Sequence, residues 1–229
     1  MARKVIAISG WKRSGKDTSA DYLIKNYNYV RLGFADILKD MVAEQYNITR
    51  SYCDDINFKE KPLYQYPVTD RPDAFSEVIH RTLFKEFKNA EGINPYTDYD
   101  DWYELLSHKQ TLFWTPRALC ILEGSIKRSV DSQYWVGKVI DSINTEYSPG
   151  LTSFVISDLR YRSEVEQLKA AFGDDLVTIR VNRFETSPSN DASERDLDNH
   201  IFDYVISNTG TIEELQTELD LIVEKVCLT

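Results

Sequence analysis

Cysteine, histidine and methionine are scarce in this 229-residue chain, numbering 3, 3 and 2. Cys53, Cys120 and Cys227 are odd in number, widely spaced and without a C-x-x-C pair, so they indicate neither a zinc cage nor a disulfide framework. Such usage suits a reducing cytoplasm. His80, His108 and His200 share no metal-ligand spacing and read as structural or surface residues. Long hydrophobic runs are also missing. The longest is five residues, Ala118 to Leu122, against the roughly 18 that a membrane helix needs. The apolar stretch after the basic start Met1-Ala2-Arg3-Lys4 is broken by Ser9 and Gly10, too soon for a signal peptide. The expectation is a cytoplasmic chain that neither spans a membrane nor is secreted. Excess positive charge is absent as well: 37 acidic residues face 27 basic ones, a net charge of −10. No global field draws such a chain onto duplex DNA or an anionic membrane, so an anionic ligand has to be small and locally clamped.

What is present is the material of a folded core. With 42% hydrophobic and 28% charged residues, the chain suffices for one medium-sized domain, or one domain with an inserted lid, and is not intrinsically disordered. Val5 to Ser9 is short, apolar, rich in β-branched residues and stopped by Gly10, which predicts a strand. A helix is expected from Gly15 to Tyr27, a second apolar piece over Val30 to Phe34, and a helix from Ala35 to about Tyr46. From Asn47 to about Tyr103 the pattern loosens around Pro62, Pro67, Pro72 and Pro95; one helix, Ala74 to Lys88, is expected there. Thr115-Pro116 is an N-cap followed by proline at the first helical position, predicting a helix to about Ser129. Another follows over Gln133 to Asn144. The last third alternates: strand Ser153–Ser157, helix Glu164–Phe172 closed by Gly173, strand Leu176–Val181, strand Tyr204–Ser207, and helix Ile212–Val226. Thr211 and Glu214 have the spacing of a capping box ahead of that last helix. Strands and helices alternating at both ends imply an α/β fold with a parallel sheet.

Between the first strand and first helix lies Gly10-Trp11-Lys12-Arg13-Ser14-Gly15-Lys16-Asp17-Thr18. It matches G-x-x-x-x-G-K in the strand–loop–helix context that a phosphate-binding loop requires. Glycines allow a tight turn whose backbone N–H groups face a concavity, and the helix N-terminus adds partial positive charge. Lys16 is placed to reach the β and γ phosphates of a nucleotide. The residue after it is Asp17 rather than the usual Ser or Thr, and a carboxylate serves magnesium directly or through a bound water. Thr18 keeps a hydroxyl for the α phosphate. A guanine-reading Asn-Lys-x-Asp is absent, since the sequence has no Asn-Lys dipeptide. Arg71, Arg117, Arg128, Arg160 and Arg183 lie outside the loop, more cations than one nucleotide needs, which a second phosphorylated ligand explains. The acidic Asp98, Asp100 and Asp101 read as a solvated loop and helix start.

These motifs resemble the bacteriophage deoxynucleoside monophosphate kinases, which share their phosphate loop and C-terminal third with animal-type phosphomevalonate kinase. The resemblance is carried by Gly10 to Thr18; Phe34-Ala35-Asp36-Ile37-Leu38-Lys39-Asp40-Met41; Thr115-Pro116-Arg117 through Gly124, Arg128 and Trp135; Ile156-Ser157-Asp158-Leu159-Arg160; and Ser193-Glu194 to Leu197-Asp198 with Asn208-Thr209-Gly210-Thr211. It implies a nucleoside monophosphate kinase fold: one α/β domain over residues 1–229, with a parallel five-stranded sheet flanked by helices. An acceptor-binding helical region over 47–150 and a short lid over 183–199 complete that expectation.

The implied reaction is ATP- and magnesium-dependent phosphoryl transfer to a deoxynucleoside monophosphate. A phosphate monoester has its second pKa near 6, so the acceptor is its own nucleophile and the work is positioning and charge stabilisation. Under this resemblance Gly10, Lys12, Arg13, Ser14, Gly15, Lys16, Asp17, Thr18 and Arg183 bind ATP. Lys16, Asp158 and Arg160 are the catalytic candidates, Arg160 bridging the two phosphates, with Asp17 and Asp158 at the magnesium. Phe34, Asp36, Lys39, Arg71, Arg117, Arg128 and Trp135 take the acceptor. Arg117 and Arg128, eleven apart on one helix, return to nearly the same face. Trp135 reads equally as base-packing or core, and Phe34 also as core. Small-molecule nucleotides are the expected partners, with a homodimer implied only by resemblance. The alternatives are a kinase of another small phosphorylated acceptor, such as phosphomevalonate, or a module that binds ATP without transferring it.

Overall fold

The computed structural model describes residues 3–66, 114–183 and 195–228. The expected helix over 74–88, Arg71, His80, His108, Asp98, Asp100, Asp101 and most of the 183–199 lid lie outside these. The described residues divide between two compact units, one of 1–37 with 133–229 and one of 38–132.

The first unit is built on β1 (Lys4–Ser9), α1 (Lys16–Tyr27) and β2 (Val30–Arg31). Next comes α2 (Phe34–Gln45), whose last turns belong to the second unit. The second unit also holds a short 3-10 turn, Arg50–Cys53, and α3 (Pro116–Val130). The first unit then resumes with α4 (Tyr134–Glu146), β3 (Ser153–Ile156), α5 (Arg162–Phe172), β4 (Leu176–Asn182), β5 (Tyr204–Ser207) and α6 (Ile212–Leu228). All five strands are parallel, in the order β2-β3-β1-β4-β5. The expected α/β fold with a five-stranded parallel sheet is the one observed.

Parallel strands need cover on both faces, and β1 shows it: Val5, Ile6, Ala7 and Ile8 are all fully buried. Side chains alternate across the sheet. Ile6, Ile8, Val155, Ile179, Val181 and Ile206 form one core with Ala20 and Leu23 of α1 and Leu215, Leu219 and Val223 of α6. The start of α6 is fixed as the Thr-x-x-Glu spacing predicts. Thr211 N–H donates to Glu214 Oε2 at 2.9 Å, and Glu214 N–H donates back to Thr211 Oγ1 at 3.2 Å.

The apolar piece over Val30 to Phe34 divides: Val30 and Arg31 form a strand, and Phe34 opens α2 one residue ahead of the expected helix start at Ala35. The reason is a carboxylate far along the chain, described with the site below.

The second unit packs Val42 and Tyr46 of α2 with Cys53, Leu63, Trp114, Ala118, Leu119 and Leu122. Helix α3 begins as Thr115-Pro116 predicts: Thr115 Oγ1 accepts from Ala118 N–H at 3.1 Å, with proline in the first turn. Buried Glu123 accepts from Tyr46 Oη at 2.6 Å and Gln45 Nε2 at 3.0 Å, which offsets the cost of taking a carboxylate out of water. Among the described residues no helix is long and apolar enough to cross a membrane.

Candidate active site

The sheet's register builds the site. Ser9 is level with Arg180, and Asn182 with Ser207, so the carboxyl ends of β1, β4 and β5 finish together. Ligands of open α/β sheets bind at that edge. Gly10 leaves β1 there because nothing larger fits: a Cβ would stand 2.3 Å from Ser14 Oγ and 2.6 Å from the Val181 carbonyl. The loop folds back with Ser14 N–H on the Trp11 carbonyl at 3.0 Å. It then enters α1 through Gly15, whose φ of 105° lies in the left-handed region that favours glycine. The first amides of a helix lack intrahelical acceptors, so this end of α1 presents donors and a positive dipole to an anion.

Within this cradle, Lys16 Nζ lies 3.0 Å from Asp17 Oδ2. Arg13, Gly15, Asp17 and Thr18 line a cavity of about 450 Å³ together with Arg183 and the Asn208–Leu215 segment. Arg13, Gly15, Asp17, Thr18 and Arg183 are therefore brought together at one cavity. Lys12 stands exposed on the loop. Ser14 differs from the rest: its side chain is wholly buried beneath the loop and its amide is engaged by Trp11, so it shapes the cradle from within.

Asp158 follows β3 and reaches across to β2. Its Oδ1 accepts from Phe34 N–H at 3.0 Å and its Oδ2 from Ala35 N–H at 2.8 Å. It thus caps α2, and this is why Phe34 leaves the extended conformation. The turn depends on Gly33, where a Cβ would meet Asp36 Oδ2 at 2.8 Å and Asp158 Oδ1 at 3.2 Å. Burial pushes the Asp158 carboxyl above the usual carboxylate range, with the amides of Ala35 and Phe34 opposing, Asp36 reinforcing and Arg160 opposing the shift. Both oxygens hold backbone donors. Any hold on a metal is consequently through the remaining lone pairs or a water.

Of the acceptor candidates, Phe34 and Trp135 are buried at 7% and 4% exposure, and Trp135 packs edge-on to Tyr134. Asp36 pairs with Arg31 at 3.3 Å. In the second unit Lys39 Nζ is 2.7 Å from Asp54, Arg117 is paired with Glu60, and Arg128 is exposed in the last turn of α3. Phe34, Asp36, Trp135 and Arg160 belong to the first unit; Lys39, Arg117 and Arg128 belong to the second.

Four residues, Asn208, Arg180, Asp198 and Arg31, were given no role by the sequence reading, although Asn208 and Asp198 lie in motifs that carry the resemblance. Asn208, just after β5, donates from Nδ2 to the Ser14 carbonyl at 2.8 Å and props the phosphate loop from below. Arg180 is buried in β4, where it donates to Ser9 Oγ at 3.1 Å and pairs with Asp198 at 3.0 Å; Asp198 also accepts from the Trp11 indole at 3.1 Å. Trp11, Arg180 and Asp198 line a second cavity of about 570 Å³ with Phe202 and Val205. A cation inside the strand-like run Leu176–Val181, whose one other polar residue is Thr178, was the available signal for Arg180. Arg31 is the fourth.

For magnesium, the described residues contain no group of three or more His, Cys, Asp or Glu side chains that would hold a metal. Asp17, with its side chain 59% exposed beside the loop, fits an ion held mainly by phosphates and water with one protein carboxylate.

Comparison with known proteins agrees with the motifs. A family model described as deoxynucleotide monophosphate kinase matches residues 4–65. The deoxynucleotide monophosphate kinase of Enterobacteria phage T4 is 24% identical over 94% of this chain and 97% of its own length. That of Escherichia phage RB69 is 24% identical over 96% and 99%. Among solved structures, an APS kinase of Mycobacterium tuberculosis matches 98% of this chain and 99% of its own at 8% identity and a TM-score of 0.43. The resemblance read from the ordered motifs is therefore borne out: along nearly its whole length, this chain is similar to the deoxynucleotide monophosphate kinases of phages.

Proposed function

We propose that the chain transfers the γ phosphate of ATP to a deoxynucleoside monophosphate, giving ADP and a deoxynucleoside diphosphate. The observation that carries this reading is the cradle. Gly10 and Gly15 stand where a Cβ would collide, Lys16 stands over the start of α1, and Arg183 with the Asn208–Leu215 segment closes a cavity beside it. A polyphosphate supplies negative charge to the first α1 amides and competes with Asp17 for Lys16.

In this assignment Lys16 leaves Asp17 for the transferring phosphoryl group, whose developing charge it stabilises. Arg183 and Thr18 hold the rest of the donor. Arg160 bridges the donor and acceptor phosphates. No side chain need act as a base, because the acceptor phosphate is largely dianionic at neutral pH. Asp17 would hold magnesium, with Asp158 behind a bound water; the ion, when bound, neutralises phosphate charge and orients the γ group. The phage relatives support a deoxynucleotide as acceptor over phosphomevalonate.

The test is ADP release by the purified protein with ATP and magnesium, against separate deoxy- and ribonucleoside monophosphates, phosphomevalonate and no acceptor. Turnover is expected with at least one deoxynucleotide. In Lys16→Ala it should fall by about 100-fold or more, the scale set by removing one donor from a developing oxyanion. Near-normal turnover in that variant removes the loop assignment, and ATP binding with no acceptor-dependent turnover favours the non-catalytic module.

A further inference from the structure

Arg31 closes β2 and divides its guanidinium among three carboxylates. Nη2 lies 3.6 Å from Asp17 Oδ1, Nη1 lies 3.5 Å from Asp21 Oδ1, and Nε lies 3.3 Å from Asp36 Oδ2. Asp17 and Asp21 are one turn apart on α1, and Asp36 is in the first turn of α2. One planar fork therefore links the first turns of α1 and α2. A lysine ammonium, a point charge, lacks the geometry to do this.

The division of Asp17 is the informative detail. Its Oδ2 faces Lys16 and its Oδ1 faces Arg31. When a triphosphate draws Lys16 away, Oδ2 is released while Oδ1 keeps its partner. Without Arg31 the Asp17 side chain, 59% exposed, loses its second anchor at that moment. It then stands near Asp21 and Asp36 with no cation between them.

We propose that Arg31 is a positioning residue for phosphoryl transfer: it pins one oxygen of Asp17 so that the other stays directed at the phosphate loop, and it ties that carboxylate to Asp36. This deepens the donor-site reading above and rests on it. The role acts through Asp17, so its signature is a loss that depends on both Asp17 and a divalent ion.

The experiment is calorimetric titration of ATP, with excess magnesium and separately with a chelator, into the wild type, Arg31→Gln, Arg31→Lys, Asp17→Asn and the Arg31→Gln/Asp17→Asn double variant. Unfolding of each apo protein is followed alongside as a folding control. Arg31→Gln should weaken magnesium-dependent binding by about tenfold, the low end for losing a partner behind a metal ligand, and change binding in chelator by less than about twofold. Arg31→Lys should recover part of the loss. In the Asp17→Asn background, Arg31→Gln should add almost nothing. Equal losses with and without magnesium, or a full additional loss in the Asp17→Asn background, overturn the positioning role. Absence of ATP binding by the wild type overturns the donor reading itself, and this inference with it.

Discussion

Replacing Asn208 by leucine isolates one contact beneath the phosphate loop. The substitution keeps the number and branching of side-chain heavy atoms, in a somewhat larger apolar group, and removes the Nδ2 donor that meets the Ser14 carbonyl at 2.8 Å. Ser14 is fully buried and Asn208 is 8% exposed, so water does not readily replace the lost donor. An orphaned buried acceptor costs about 1–3 kcal/mol. The same amide lies against Gly15, where an added Cβ would come within 2.5 Å of Nδ2, so the prop bears on the left-handed residue that turns the loop into α1.

That cost has two places to appear. A loop that keeps its shape leaves the carbonyl unpaired in the apo protein: stability falls by about 1–3 kcal/mol, or roughly 2–4 °C in Tm per kcal/mol at this chain length, and ATP affinity is unchanged. A loop that relaxes to hydrate the carbonyl largely keeps its stability, and ATP must rebuild the cradle, so the Kd rises by up to about tenfold per 1.4 kcal/mol. The expected outcome is a combined loss of about 1–3 kcal/mol shared between denaturant unfolding of the apo protein and calorimetric ATP affinity. Asn208→Asp should lose at least as much, because it sets a second acceptor against the carbonyl. If both readouts of Asn208→Leu stay within about 0.5 kcal/mol of wild type, the contact does not hold the loop and the reasoning fails.

Two further predictions concern the packing that carries the site. Tyr27 and Tyr22 both donate to Asp220 Oδ1, at 2.6 and 2.8 Å, and the Asp220 hydrogen bond with burial pushes the Tyr27 phenol up to about 12. A pKa raised in the folded state gives stability that is complete below the unfolded value near 10 and is lost as pH rises through about 12. Absorbance titration of tyrosinate should show a late-ionising phenol that vanishes in Tyr27→Phe; an unchanged curve in that variant assigns it elsewhere. Leu122 is fully buried in the second unit's core, and Leu122→Ala should cost about 2–5 kcal/mol by chemical denaturation. A loss under about 1 kcal/mol would mean that this core collapses around the missing side chain.

What the sequence disclosed was whatever its physics keeps local. The phosphate loop is nine contiguous residues between a strand and a helix, and both the Thr115-Pro116 cap and the Thr211–Glu214 box act within four residues. What it hid depends on partners far along the chain. Phe34 ends an apolar piece of the sequence, and its place as the first residue of α2 rests on Asp158, 124 residues away, which caps its amide. Arg180 is 171 residues from Ser9, and Asn208 is 194 from Ser14. Arg31 lies within 14 residues of Asp17, yet nothing local in the sequence shows that β2 ends beside α1.

The hidden contacts share one cause, which is the register of the parallel sheet. Once Ala7 is level with Ile156 and Arg31 with Val155, Asp158 is forced to the height of the β2–α2 turn. There its two oxygens meet the first free amides of α2, a helix end that would otherwise leave them unsatisfied. Once Ser9 is level with Arg180 and Asn182 with Ser207, Asn208 is delivered under the phosphate loop. The donor site is thus written twice, in a contiguous motif and in the heights at which the strands stop. A shift of one residue in β5 would move Asn208 away from Ser14 while leaving every residue of the motif in place. That separation is why Asn208, rather than a loop residue, offers the sharper test of how the cradle is held.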